Sequence, residues 1–219
     1  MAHDFDKDYW EQHWRRAQGD APGAKRGNPP SPYLATELGD LIPGTALDAG
    51  CGTGAEAIWL ARMGWQVTAA DISIEALDRA REHATSDAGR ERVLWLEADL
   101  STWEPGTQFD LVTTHYAHPA MPQLQFYDRI AGWVAPGGTL LIVGHLSSTD
   151  HDHGGHDHGH GAHGHTPLEA SATAAAITAR LNEQEWEVVT SCELERTLVS
   201  GDGHELHLHD VVVRAQRRA

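Results

Sequence analysis

The stretch Leu47-Asp48-Ala49-Gly50-Cys51-Gly52-Thr53-Gly54 decides how this chain is read. It follows Pro43-Gly44 and runs into a helical pattern over 55–63 that Gly64 stops. A short apolar strand, a glycine-rich turn and a helix start, in that order, let backbone come close to a ligand. Glycine reaches positive φ without a Cβ penalty, and the unpaired N–H groups of a helix start point at negative charge.

Outward from this turn, strand-like and helix-like runs alternate from residue 33 onward. Strands are expected at 46–49, 66–71, 93–97, 109–115 and 139–145, the last preceded by Pro136-Gly137-Gly138. Helices fit at 55–63, at 74–84 with Ser73 as N-cap, briefly near Ser101, and at 123–134. In the last of these Leu124, Tyr127, Ala131 and Val134 recur at helical spacing. Thr166-Pro167-Leu168-Glu169 combines a capping box with proline at the first helical position and predicts a further helix start. Two closing strands, 186–197 and 205–214, flank Ser200-Gly201-Asp202-Gly203, a turn composition that suggests a hairpin. The expected fold is α/β: Rossmann-like and doubly wound, a mostly parallel seven-stranded sheet ending in an antiparallel C-terminal hairpin.

The 219 residues suit one domain, placed at 33–219 and interrupted by a histidine-rich insertion at 147–166. Residues 1–32 form an appendage: an aromatic helix with Tyr9, Trp10 and Trp14, then a loop rich in proline and glycine. That helix could close over a site as a lid or pack on the sheet edge. A formal charge of −16 argues against a nucleic-acid partner, which needs basic surface. No run approaches the length of a membrane helix, and two cysteines make no disulfide framework. A cytoplasmic protein that acts on or binds a small molecule is the expectation.

Gly50-x-Gly52-x-x-Ala55 satisfies a dinucleotide fingerprint on its own. Three features pull away from it. Asp48 precedes the first glycine, where its charge repels a pyrophosphate and attracts an ammonium or sulfonium. Asp71 and Asp99 end two further strands, so three carboxylates can meet at one sheet edge. A terminal hairpin is also foreign to dinucleotide folds.

These residues resemble the motifs of class I S-adenosylmethionine-dependent methyltransferases, and more loosely the thiol, thiopurine and tellurite methyltransferases among them. Segment 47–54 is similar to the family's first motif, Asp71 and Asp99 to its strand-end acids, and Pro136-Gly137-Gly138 to the turn before its fifth strand. The resemblance implies cofactor binding by Asp48, Gly50, Cys51, Gly52, Gly54, Asp71, Ile72, Asp99, Leu100 and His115. Amides of 50–54 would face the methionine carboxylate, Asp48 its amino group and Asp71 the ribose hydroxyls. Ile72 would pack on the adenine, and Asp99 with the Leu100 amide would read its edge.

Methyl transfer needs alignment, exclusion of water and, for some nucleophiles, a base. Candidates leave the carboxyl ends of the fourth and fifth strands: His115, His118 and His145, with His115 the first choice. The acceptor is expected to be a small molecule with an oxygen, nitrogen, sulfur or chalcogen nucleophile. His151, His153, His156, His158, His160, His163 and His165 form an interleaved set that could bind nickel, zinc, cobalt or copper. Alternatives are a neutral low-complexity insertion or a metal-binding protein on a methyltransferase scaffold. His204, His207 and His209 could add ligands.

Overall fold

A computed structural model describes residues 5–16, 29–86, 91–146, 171–199 and 205–219. The elements, in chain order, are α1 (Lys7–Arg16), α2 (Leu34–Leu38), β1 (Thr45–Ala49), α3 (Ala55–Arg62), β2 (Gln66–Asp71), α4 (Ile74–His83) and β3 (Val93–Glu97). They continue with β4 (Phe109–His115), α5 (Gln123–Ala131), β5 (Val134–His145), α6 (Ala174–Thr178), β6 (Trp186–Val199) and β7 (Glu205–Arg217). The strands form one sheet in the order β3-β2-β1-β4-β5-β7-β6. The first five are mutually parallel, and β7 runs antiparallel to both β5 and β6. The expected doubly wound sheet with a C-terminal hairpin is what the chain forms.

Both faces of the sheet are covered, so its central strands read as unbroken apolar runs. Along β5, Leu140 and Ile142 join the core under α5 and α6, while Leu141 and Val143 join the core under α2 and α3. This alternation is the period of two that a strand imposes. The strand order turns back between β1 and β4, where a crevice opens beyond the carboxyl ends of the strands.

Two expectations along the chain change. Helix α5 stops at Ala131, because Val134 is already paired with Phe109 in the sheet. From there the β4–β5 register jumps so that Leu111 faces Thr139. Pro136-Gly137-Gly138 is therefore a bulge inside β5, not a turn before it. A Cβ on Gly138 would lie 3.0 Å from the Asp110 carbonyl oxygen and 2.9 Å from that of Ala135, so glycine is required. Near Ser101 the chain makes a turn on the Asp99 carbonyl instead of a helix, with the Thr102 and Trp103 amides donating to it. Ser73 caps α4 as expected, its Oγ accepting from Ala76 at 3.2 Å. The helix start expected at Thr166 and the Ser200–Gly203 turn lie outside the described residues; α6 begins after Thr173, which caps it.

Candidate active site

A cavity of about 440 Å³ occupies the crevice, within the size range of small-molecule sites. Its floor comes from the β1 turn (Gly50–Thr53), the end of β2 (Asp71, Ile72) and the segment after β3 (Asp99, Leu100). His115 and His145, ending β4 and β5, line it with Tyr116 and His118. Arg196 and Leu208 reach in from the hairpin, and Trp10 and Trp14 of α1 cover it.

Three glycines of the turn take positive φ: Gly50 at 81°, Gly52 at 49° and Gly54 at 82°. A Cβ on Gly50 would collide with the Ala117 Cβ at 2.3 Å, and one on Gly54 with the Trp95 ring at 2.5 Å. Gly54 is thus a packing glycine and does not line the cavity. Gly52 lies under Trp14, whose ring would be 3.3 Å from an added Cβ. The turn spends its own amides on the protein: those of Gly50 and Cys51 donate to the Ala70 carbonyl at 2.8 and 3.0 Å, and that of Gly54 to Cys51 at 2.8 Å. The expected row of amides facing an anion is therefore largely engaged elsewhere.

The acids differ from one another. Asp71 Oδ2 accepts from the Gly52 amide at 2.8 Å, and Oδ1 from Ser73 at 2.9 Å. The Ile72 amide adds a third backbone bond, which leaves about one of the carboxylate's four acceptor positions for a ligand. Burial pushes the Asp71 carboxyl up, against the pull of the Ser73 and Gly52 amides. Asp99 Oδ1 holds Ser101 through its amide (2.9 Å) and hydroxyl (2.6 Å). Glu56 also lines the cavity and ties in the loop at 29–32, accepting from the Ser31 amide at 3.0 Å. Asp48 sits behind the turn, fully buried and off the cavity wall. It accepts from the Ala57 amide at the start of α3, while Oδ2 has no partner among the described residues. Burial, then the charges of Glu56 and Asp71, raise its pKa well above the usual carboxylate range. Burial and the Asp71 and Asp48 charges likewise push the Cys51 thiol up, so it stays protonated and unreactive.

Hydrogen bonding fixes the protons of two histidines. Gln123 Nε2 donates to the Ala117 carbonyl at 3.0 Å, so its Oε1 faces His118 Nδ1 at 3.1 Å. Nδ1 of His118 therefore carries the proton, and Nε2 keeps its lone pair. The buried Thr113 hydroxyl lies 2.8 Å from His115 Nε2. A buried hydroxyl hydrogen needs an acceptor, which places the proton of His115 on Nδ1, an atom without a partner among the described residues. Burial lowers the pKa of both rings, so both are neutral at pH 7. The His145 ring packs on Tyr116 (centroids 4.4 Å apart) and on His118 (5.9 Å).

Sequence reading found the turn, the strand-end acids and the three histidines, all but Asp48 and Gly54 on the cavity wall. It missed Arg196, Leu208 and the lining role of Glu56. The metal-binding expectation for His151, His153, His156, His158, His160, His163 and His165 falls outside the described residues. Among the described residues no three His, Cys, Asp or Glu side chains are grouped to hold a metal, and no helix is long and apolar enough to cross a membrane.

Residues 46–138 match a family model described as a methyltransferase domain. The chain is 30% identical over 137 residues to a probable thiol methyltransferase of Arabidopsis thaliana, covering 60% of this chain and 59% of that protein. It is 32% identical over 153 residues to a trans-aconitate 2-methyltransferase of Streptomyces avermitilis, covering 59% and 56%. The chain thus spans little more than half the length of these relatives. In fold it is similar to the N-methyltransferase NodS of Bradyrhizobium japonicum, solved with S-adenosylhomocysteine. The TM-score is 0.66 at 17% identity, over 95% of this chain and 98% of that one.

Proposed function

We propose that this chain, a member of the class I S-adenosylmethionine-dependent methyltransferase family, transfers a methyl group to a small molecule bound in the cavity. The observation that carries this reading is the crevice at the strand-order reversal, where Glu56, Asp71 and Asp99 line one side and histidines the other. A cofactor bearing an ammonium, a sulfonium and a ribose diol suits that acidic side. Asp71 would accept from the ribose diol, Ile72 and Leu100 would flank the adenine, and Asp99 would read its edge. Asp48 acts through the turn it underpins, not by contact. When bound, S-adenosylmethionine supplies an already activated methyl group.

The chain's own task is then positioning, dryness and a proton. Trp10 and Trp14 close the cavity over the turn. His115 carries its proton on Nδ1, a buried atom, and so is not placed to take the acceptor's proton. His118, with Nε2 bare and its ring kept neutral by burial, is the base, which moves that role from His115. As the acceptor heteroatom forms its bond to carbon, His118 Nε2 takes the proton that the O–H, N–H or S–H group gives up. A screen with labelled S-adenosylmethionine over small thiols, phenols, amines and carboxylic acids tests this. Label incorporated into at least one class supports the reading, and none in any class opposes it.

The histidines between 151 and 165 support a separate role in binding a transition metal, on composition alone. Tight nickel or zinc uptake by the full chain should vanish when residues 150–165 are deleted; unchanged uptake in equilibrium dialysis rules those residues out.

A further inference from the structure

The hairpin's contribution to the cavity, Arg196, is held in a way that cofactor binding does not require. Its Nε donates to Oδ2 of Asp210, which is fully buried on β7 opposite His145. Its Nη2 donates to the Tyr116 hydroxyl at 3.1 Å. Tyr33 donates to the same Asp210 oxygen at 2.9 Å. Burial and this contact push the Tyr33 phenol up to about 12. Tyr116 itself sits at φ 56°, a left-handed conformation that a bulky residue adopts only under strain. Two side chains, Asp210 of β7 and Tyr116 just after β4, thus fix one guanidinium, and Tyr33 before α2 braces Asp210. Nη1 has no partner among the described residues, and Arg196 is the only Lys or Arg among the described residues lining the cavity.

The position in the sheet matters as much as the bonds. Asp71 ends β2 and Asp99 follows β3, on one side of the strand-order reversal. Arg196 lies on β6, at the opposite edge. Between the two sides stand the flat rings of Tyr116, His118 and His145, with Trp10 above. A preorganised guanidinium edge matches a planar oxyanion, and aromatic walls match a flat ring. Asp210 cancels the charge of Arg196, so recognition depends on directed hydrogen bonds and not on bulk attraction.

We propose that the methyl acceptor is an aromatic or conjugated carboxylate, its carboxylate hydrogen-bonded by Arg196 and its ring set against Tyr116 and His145. This rests on the methyltransferase reading and adds the acceptor class to it. The test is calorimetric titration of the S-adenosylhomocysteine-loaded protein with benzoate, 4-hydroxybenzoate and 2-mercaptobenzoate, each against its amide. At least one carboxylate should bind about tenfold or more tighter than its amide, the range of a charge-assisted hydrogen bond. Arg196→Gln should erase that preference and leave S-adenosylhomocysteine affinity unchanged. Removing the guanidinium strands Asp210, so the paired variant Arg196→Gln with Asp210→Asn keeps the corner neutral and should behave alike. Equal binding of acid and amide, no binding of either, or a preference that survives both variants overturns the proposal. Failure of S-adenosylhomocysteine to bind the wild-type chain overturns the cofactor reading instead, so the two failures are distinct.

Discussion

His115 and His118 lie three residues apart on the same cavity wall, yet their neighbours give them opposite chemistry. Thr113, two residues back on the strand face shared with His115, puts the proton on the cavity-lining ring's Nδ1. Gln123, at the start of α5, leaves His118 with a bare Nε2. His118→Ala should therefore lower kcat by about 100-fold or more, the usual worth of a general base, with substrate KM changed little. Gln123→Leu should cost less, since it removes orientation and not the base. Burial holds the His118 pKa below 6.5, so kcat/KM should stay flat above pH 7 and fall on the acid side of 6.5. An acid limb centred above 6.5 contradicts the assignment. The same sign governs stability. The unfolded chain binds protons on these rings more readily, so their contribution is present above pH 6.5 and is lost as the pH falls through the depressed values. From sequence, three histidines near the strand ends were visible. Their tautomers were not, because these depend on one hydroxyl and one amide placed by the fold.

At the scale of elements, α1 is the part whose role was open. The spacing of Trp10 and Trp14 was legible, as was the choice between lid and edge helix. What ties α1 down was not, because its partners are distant in sequence. Glu11 Oε1 accepts from the Ile74 amide at 2.8 Å, capping α4 from another element. Trp10 Nε1 donates to the His118 carbonyl at 3.2 Å, Arg79 donates to the Trp14 carbonyl, and Lys7 pairs with Glu97. The contacts place α1 over the cavity while it rests on α4. We expect deletion of residues 1–16 to speed cofactor dissociation by about tenfold or more, consistent with loss of a closing element. Stopped-flow displacement measures this, and an unchanged dissociation rate would make α1 a packing helix only. The bulge in β5 shows the opposite limit of sequence reading. Pro136-Gly137-Gly138 announced irregular backbone, but only the pairing of Val134 with Phe109 reveals that the strand has already begun.

Across the whole molecule, the sheet order sorts the site. Acids cluster beyond β1, β2 and β3, histidines beyond β4 and β5, and the cation comes from the hairpin. The alternation of strands and helices made this architecture legible, and the acids at strand ends marked one side of the cavity. The Arg196–Asp210 pair was hidden because it spans a hairpin whose register the sequence pattern does not fix. The central claim is that Asp71, oriented by the Gly52, Ser73 and Ile72 amides, holds the cofactor. Isothermal titration with S-adenosylmethionine, on the full chain and on Asp71→Ala, tests it most directly. The expected result is saturable binding at one site per chain, weakened about 10- to 100-fold by the substitution, as expected for lost hydrogen bonds to a charged group. No binding to the full chain, or equal affinity in the variant, would contradict it.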